Sequence, residues 1–112
     1  MNLEKMLKAL GEPMRFQIYN NILERKHCVR SLSKKLGISE PAISQHLKVM
    51  READLIYGEK YGYHTHYLPK QDAVDFLMES FLKMQRQSLS LDRNAAICHC
   101  DLERRGSNEY SP

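Results

Sequence analysis

The sequence predicts a mainly α-helical domain with one β-hairpin wing, a dimeric winged helix-turn-helix of the α+β class. Three observations carry that reading. Two short stretches with helical apolar spacing flank the turn Gly37-Ile38-Ser39, which is the helix-turn-helix pattern. After Ala53-Asp54 the apolar period changes to that of strands, over Leu55-Ile56-Tyr57 and His64-Thr65-His66-Tyr67-Leu68. A long helix then runs from Gln71 to about Leu91 with an apolar stripe wider than so small a domain uses for its own core.

Each element has a local cause. Leu3, Met6, Leu7 and Leu10 recur at helical spacing until Gly11-Glu12-Pro13 interrupts them. Pro13 suits the first turn of a second helix, where its missing N–H has no intrahelical partner to lose. That helix is expected to reach about Arg25, with Phe16, Ile18, Tyr19, Ile22 and Leu23 as its apolar face. Lys26-His27 reads as a short connection, and a third helix follows from about Val29 to Leu36. Gly37 can take the positive φ that ends it, and Ser39 is a good N-cap for the fourth, with Pro41 in its first turn. Ile43, Leu47 and Met50 at i, i+4 and i+7 must then face inward. Glu59-Lys60-Tyr61-Gly62 is read as the turn of the wing. In the last helix Val74, Leu77, Met78, Phe81, Leu82 and Met84 form the stripe, assigned in part, with the first helix, to a homodimer interface. Residues 1–93 are thus expected to be the DNA-binding and dimerisation domain. Residues 94–112 are expected to be a polar, cysteine-containing tail.

Composition narrows the function. The chain has 112 residues, 42% hydrophobic and 28% charged, an ordinary globular balance that excludes wholesale disorder. No apolar run approaches the roughly 20 residues of a membrane span, and no signal peptide is visible, so a cytoplasmic protein is expected. The net charge of +3 is uneven. Residues 1–70 hold twelve Lys/Arg against seven Asp/Glu (+5), whereas residues 71–112 hold five against seven (−2). A basic first part suits a polyanionic partner. Three cysteines make an odd number for a disulfide scaffold and suggest reduced thiols with another use. No glycine-rich phosphate loop, Cys-x-x-Cys helix start or recognisable acid/base pair is present, so an enzyme is not expected.

Leu7-Lys8-Ala9-Leu10-Gly11-Glu12-Pro13-Met14-Arg15 resembles the opening of the ArsR/SmtB family of winged-helix repressors. The likeness continues through Cys28-Val29-Arg30-Ser31-Leu32, Leu36-Gly37-Ile38-Ser39 and Ile43-Ser44-Gln45-His46-Leu47-Lys48. It then runs through Ala53-Asp54-Leu55-Ile56 to Tyr63 and Tyr67. It covers roughly residues 3–85. The resemblance implies a homodimeric repressor that binds double-stranded operator DNA and leaves it when an inducer binds.

The residues support a DNA face independently. With Ile43, Leu47 and Met50 inward, Pro41, Ser44, Gln45 and Lys48 lie on the outward arc of the fourth helix. Ser and Gln carry donors and acceptors suited to base edges, and Lys48 suits phosphate. His46 lies at the edge of the buried arc and serves either DNA or a helix-to-helix contact. Lys60 and His64 in the wing either follow the DNA backbone or minor groove or form a solvated hairpin.

The sensing site has to be sought residue by residue. The interfacial zinc site that the resemblance implies for the last helix has Asp72 and Asp75, but its later ligand positions fall on Lys83 and Arg86, and cations do not ligate cations. The third-helix site of arsenic- and cadmium-sensing members is Cys-Val-Cys; here Cys28-Val29 is followed by Arg30. Cys98 and Cys100 supply two further thiols, so Cys28, Cys98 and Cys100 form a candidate three-thiolate set for As(III), Sb(III), Cd(II), Pb(II) or Zn(II). His99 or His27 is an optional fourth ligand. The alternatives are a thiol redox-sensing repressor using the same cysteines, and a winged-helix regulator with no metal site. His64-Thr65-His66 places two imidazoles on one strand face, which is more often ordinary surface than a metal pair.

Overall fold

The computed structural model describes residues 1–95, 98 and 100. They divide into two units, Met1–Leu82 and a second that begins at Lys83. Element order is α1 (Leu3–Leu10), α2 (Pro13–Glu24), α3 (Val29–Leu36), α4 (Glu40–Glu52), β1 (Ile56–Tyr61), β2 (His64–Pro69) and α5 (Gln71–Leu89).

The helix boundaries follow from capping chemistry. Asn2 Oδ1 accepts from the Lys5 N–H at 3.0 Å at the start of α1, and Glu12 Oε1 accepts from the Arg15 N–H at 2.8 Å ahead of Pro13 in α2. Gly37 ends α3 in the left-handed region at φ 72°, where an L side chain would be strained. Two residues later Ser39 Oγ accepts from the Ala42 N–H at 3.3 Å and opens α4. The intervening turn is held by Ser33, whose hydroxyl donates to the Ile38 carbonyl at 2.6 Å. This helix–turn–helix is therefore set by local chemistry.

The core of the first unit gathers Met6 and Ala9 of α1, Ile18, Tyr19 and Ile22 of α2, Leu32 of α3, and Ile43, Leu47 and Met50 of α4. Ala53, Leu55, Ile56 and Ala73 complete it. Each fully buried aliphatic side chain contributes about 1.5–3 kcal/mol, so this cluster packs α1, α2 and α3 together with α4. Phe16 and Leu23, expected on the inner face of α2, are exposed instead. Seven residues apart, they share a second stripe of the helix, whereas Ile18, Tyr19 and Ile22 occupy the arc that meets the core.

The wing is an antiparallel hairpin with Tyr57 opposite Leu68, Gly58 opposite Tyr67, Lys60 opposite Thr65 and Tyr61 opposite His64. Its turn is shorter than the sequence suggested. Glu59, Lys60 and Tyr61 stay in β1, and Gly62-Tyr63 alone reverse the chain, with Gly62 at φ 62°. A two-residue loop needs positive φ, and Gly62 provides it without a Cβ penalty. His27 is also more than a connection. Its N–H donates to the Tyr67 carbonyl at 3.3 Å and its carbonyl accepts from the Tyr67 N–H at 2.8 Å, so it forms a one-residue third strand beside β2. This bridge ties the wing to the residue before the N-cap of α3.

Within the first unit, α5 presents Ala73 fully buried, with Val74, Phe76 and Leu77 packed half-buried on the core, while Met78 and Phe81 are exposed. In the second unit Met84, Leu89 and Leu91 are exposed. No helix among the described residues is long and apolar enough to cross a membrane.

Candidate functional site

The outer face of α4 carries the side chains that the sequence singled out. Pro41, Ser44, Gln45 and Lys48 are all exposed, and Ile43, Leu47 and Met50 are fully buried behind them. The helix therefore displays a row of short polar groups and one cation on a rigid, core-anchored rod. That combination can contact base edges and phosphates.

His46 stands apart from this row. It is half-buried on the flank of α4, facing Arg15 and Glu12. Arg15 Nη1 lies 3.4 Å from His46 Nδ1, and because a guanidinium only donates, Nδ1 is the acceptor in this contact. Glu12 Oε1 lies 3.9 Å from the same nitrogen. The Arg15 Nε–H also donates to the Ala9 carbonyl at 2.6 Å, at the end of α1. One side chain thus joins α1, α2 and α4. Arg15 went unassigned in the sequence because its partners are remote in the chain; only its place in the Gly11-Glu12-Pro13-Met14-Arg15 string marked it.

At the wing, Lys60 and His64 are exposed and Tyr63 at the tip is fully exposed. Lys26 Nζ sits 4.5 Å over the centre of the Tyr61 ring, and the Tyr61 and His66 rings pair at 5.0 Å. These contacts brace the hairpin against the connection between α2 and α3. A cavity of about 550 Å³ lies between the wing and the N-terminal ends of α3 and α4, lined by Cys28, Arg30, Glu40, Tyr63, His64 and Tyr67. Cys28 and His64, assigned to different roles from the sequence, therefore border one space.

Cys28 is the N-cap of α3. Its Sγ accepts from the Ser31 N–H at 3.4 Å, its own N–H donates to Ser31 Oγ at 3.2 Å, and the Ser31 hydroxyl donates to the Cys28 carbonyl at 3.0 Å. Burial pushes the thiol pKa up, but the hydrogen bonds from Ser31 and the neighbouring backbone outweigh it, and the net shift is downward. The same serine lies 2.8 Å from His27 Nδ1. His27 is buried, and its pKa is lowered by that burial, with Lys35 and Arg25 adding to the effect and Glu24 opposing it. Ser31 and His27 thus shape the thiol's surroundings. Ser31 was legible as a helix-capping residue three positions after Cys28; the burial of His27 was not.

In the second unit, Cys98 and Cys100 are exposed and their sulfurs lie 3.1 Å apart. His99 lies outside the described residues. Among the described residues no group of three or more His, Cys, Asp or Glu side chains is placed to hold a metal ion.

Comparison with known proteins agrees with this geometry. Residues 12–57 match the family described as "Bacterial regulatory protein, arsR family". The HTH-type transcriptional repressor SmtB of Mycobacterium tuberculosis is 36% identical over 58 residues, which are 52% of this chain and 43% of that protein. The chain thus spans less than half of that relative. The arsenical resistance operon repressor of Bacillus subtilis is 30% identical over 80 residues, 70% of this chain and 76% of that one. The homodimeric winged helix-turn-helix DNA-binding domain solved from Mycobacterium bovis superposes with a TM-score of 0.63 at 15% identity, covering 83% of this chain and 87% of that one. These matches are transcriptional regulators rather than enzymes. With a helix-turn-helix, a hairpin wing and this span of likeness, the chain belongs to the arsR family of bacterial regulatory proteins.

Proposed function

We propose that this protein is a cytoplasmic, homodimeric transcriptional repressor that binds operator DNA through α4 and the wing and is released by a thiophilic metal or metalloid. The observation that carries the DNA reading is the exposed row Pro41, Ser44, Gln45 and Lys48 on a helix whose opposite face is fully buried. Lys60 and His64 extend that surface along the backbone, and His46 serves it from behind by fixing the angle of α4 against α2. Dimerisation covers the exposed apolar residues Leu7, Met78 and Phe81 and sets the spacing of two recognition helices on a two-fold operator.

The inducer reading assigns Cys28, Cys98 and Cys100 as ligands, from one protomer or from both. The donor set fits such an ion: hydrogen bonds at its cap lower the pKa of the Cys28 thiol, and Cys98 and Cys100 present two sulfurs side by side. The ion supplies strong bonds to soft sulfur when bound. The kinship with an arsenical resistance repressor supports As(III) or Sb(III), with Cd(II), Pb(II) and Zn(II) as the other thiophilic choices. A pull on Cys28 acts at the N-cap of α3, about two turns of helix and one tight turn from α4, where it can shift the recognition helix out of register.

The test is titration of the protein–operator complex with As(III), Sb(III), Cd(II), Pb(II), Zn(II) and an oxidant. Release by one of the ions in wild type, and none in Cys28→Ser, is the expected outcome. Release by the oxidant alone points to redox sensing by the same thiols. A Cys28→Ser variant that responds normally removes the three-thiolate assignment.

A further inference from the structure

We infer that the concavity between α1, the start of α2 and the C-terminal end of α4 is a binding site for a small anion with a short apolar body, such as an aromatic carboxylate. The cavity measures about 320 Å³. Lys5, Lys8 and Arg15 line it against a single carboxylate, Glu52, and its floor is formed by Ala9, Val49 and Ala53. None of the three cations makes an ion pair among the described residues. Three cations facing one carboxylate across a concave, partly apolar wall concentrate anions there.

The geometry is more specific than a basic surface. Lys5 and Lys8 lie three residues apart on α1 and so project from one side of it. Arg15 is half-buried and anchored, its Nε–H donating to the Ala9 carbonyl at 2.6 Å. A guanidinium held in this way presents its remaining N–H groups to a carboxylate or phosphate without first losing side-chain freedom. The buried methyl groups of Ala9 and Ala53, with the half-buried Val49, reward an apolar body attached to the anionic group.

The site also touches the recognition helix. Val49 and Glu52 lie in the last turn of α4 and Ala53 is its C-cap, and Arg15 is the residue whose Nη1 meets His46 Nδ1 at 3.4 Å. An anion that engages Arg15 competes with His46 for the same guanidinium, so occupancy alters the tie between α2 and α4.

The site is tested by methyl NMR of the full chain titrated with benzoate, with benzamide as the neutral comparison. Benzoate is expected to shift the Ala9, Val49 and Ala53 methyl signals and the His46 ring signals saturably, and benzamide is expected to leave them in place. Lys5→Gln/Lys8→Gln, which alters only exposed side chains, should raise the benzoate Kd at least tenfold. Shifts that never saturate, equal shifts with benzamide, or an unchanged Kd in the double variant overturn the proposal. No DNA or metal enters the experiment, so its outcome is separate from that of the repressor reading.

Discussion

Arg15, in the first turn of α2, reaches His46 in the middle of α4 across 31 residues of sequence, with Nη1 and Nδ1 3.4 Å apart. The contact fixes α4 from its inner flank. Arg15→Met is expected to destabilise the fold by about 1–3 kcal/mol, since the Ala9 carbonyl and the His46 nitrogen both lose a charged donor. A double-mutant cycle with His46→Ala, read from urea unfolding midpoints, should give a coupling of at least about 0.5 kcal/mol. Additive effects would show that the two side chains are neighbours without mutual dependence.

Lys48 and Gln45 are both exposed on α4 but carry different chemistry. Lys48→Ala should weaken binding to all duplexes alike and lower the slope of log affinity against log salt by about 1, the signature of one lost phosphate contact. Gln45→Ala should instead reduce discrimination between the operator and single-base variants, by about 1–3 kcal/mol at one position. Fluorescence anisotropy at several salt concentrations measures both. Identical behaviour of the two variants would show that the outer arc is not divided in this way.

Gly58 in β1, opposite Tyr67 and diagonal to Thr65 of β2, is closely approached by both, and an added Cβ would stand 2.7 Å from Thr65 Cγ2 and 3.3 Å from Tyr67 Cε1. Gly58→Ala should therefore lower stability by about 1–3 kcal/mol through overpacking. Thr65→Ser in the same chain removes the offending methyl group and should restore part of the loss. Thermal unfolding of the single and double variants checks this, and a Gly58→Ala protein as stable as wild type would refute the close approach.

His27 gives the fold an acid-sensitive element. Its folded pKa is lowered, first by burial and then by Lys35 and Arg25, so the unfolded chain binds its proton more readily. Its contribution is complete above the ordinary histidine value of about 6.5 and is lost as pH falls through the lower folded value. Stability measured by urea unfolding should therefore decline between neutral and mildly acidic pH. The decline should be smaller in His27→Gln. An equal decline in both proteins would assign it to other groups.

Much of this protein could be read from its residues. Helix starts at Pro13 and Ser39, the stop at Gly37, and the inward set Ile43, Leu47 and Met50 all obey rules that act within four or five residues, so they are visible in one dimension. The outward row on α4 follows from the same periodicity. Where the sequence misled, the deciding interaction was not local. Phe16 and Leu23 are as apolar as Ile18, and only packing selects which stripe of α2 meets the core. The hairpin turn narrowed to Gly62-Tyr63 because pairing across the strands carried β1 through Tyr61.

The sequence by itself determined the class of fold and the residues that α4 offers to solvent, because capping, helical periodicity and turn chemistry are short-range. The tertiary structure alone decided three things. Arg15 joins α1, α2 and α4; His27 is buried as a one-residue third strand beside Tyr67; and Cys28 shares a cavity with His64. Each depends on groups far apart in the chain that come together only when the hydrophobic core closes. No local pattern encodes that meeting.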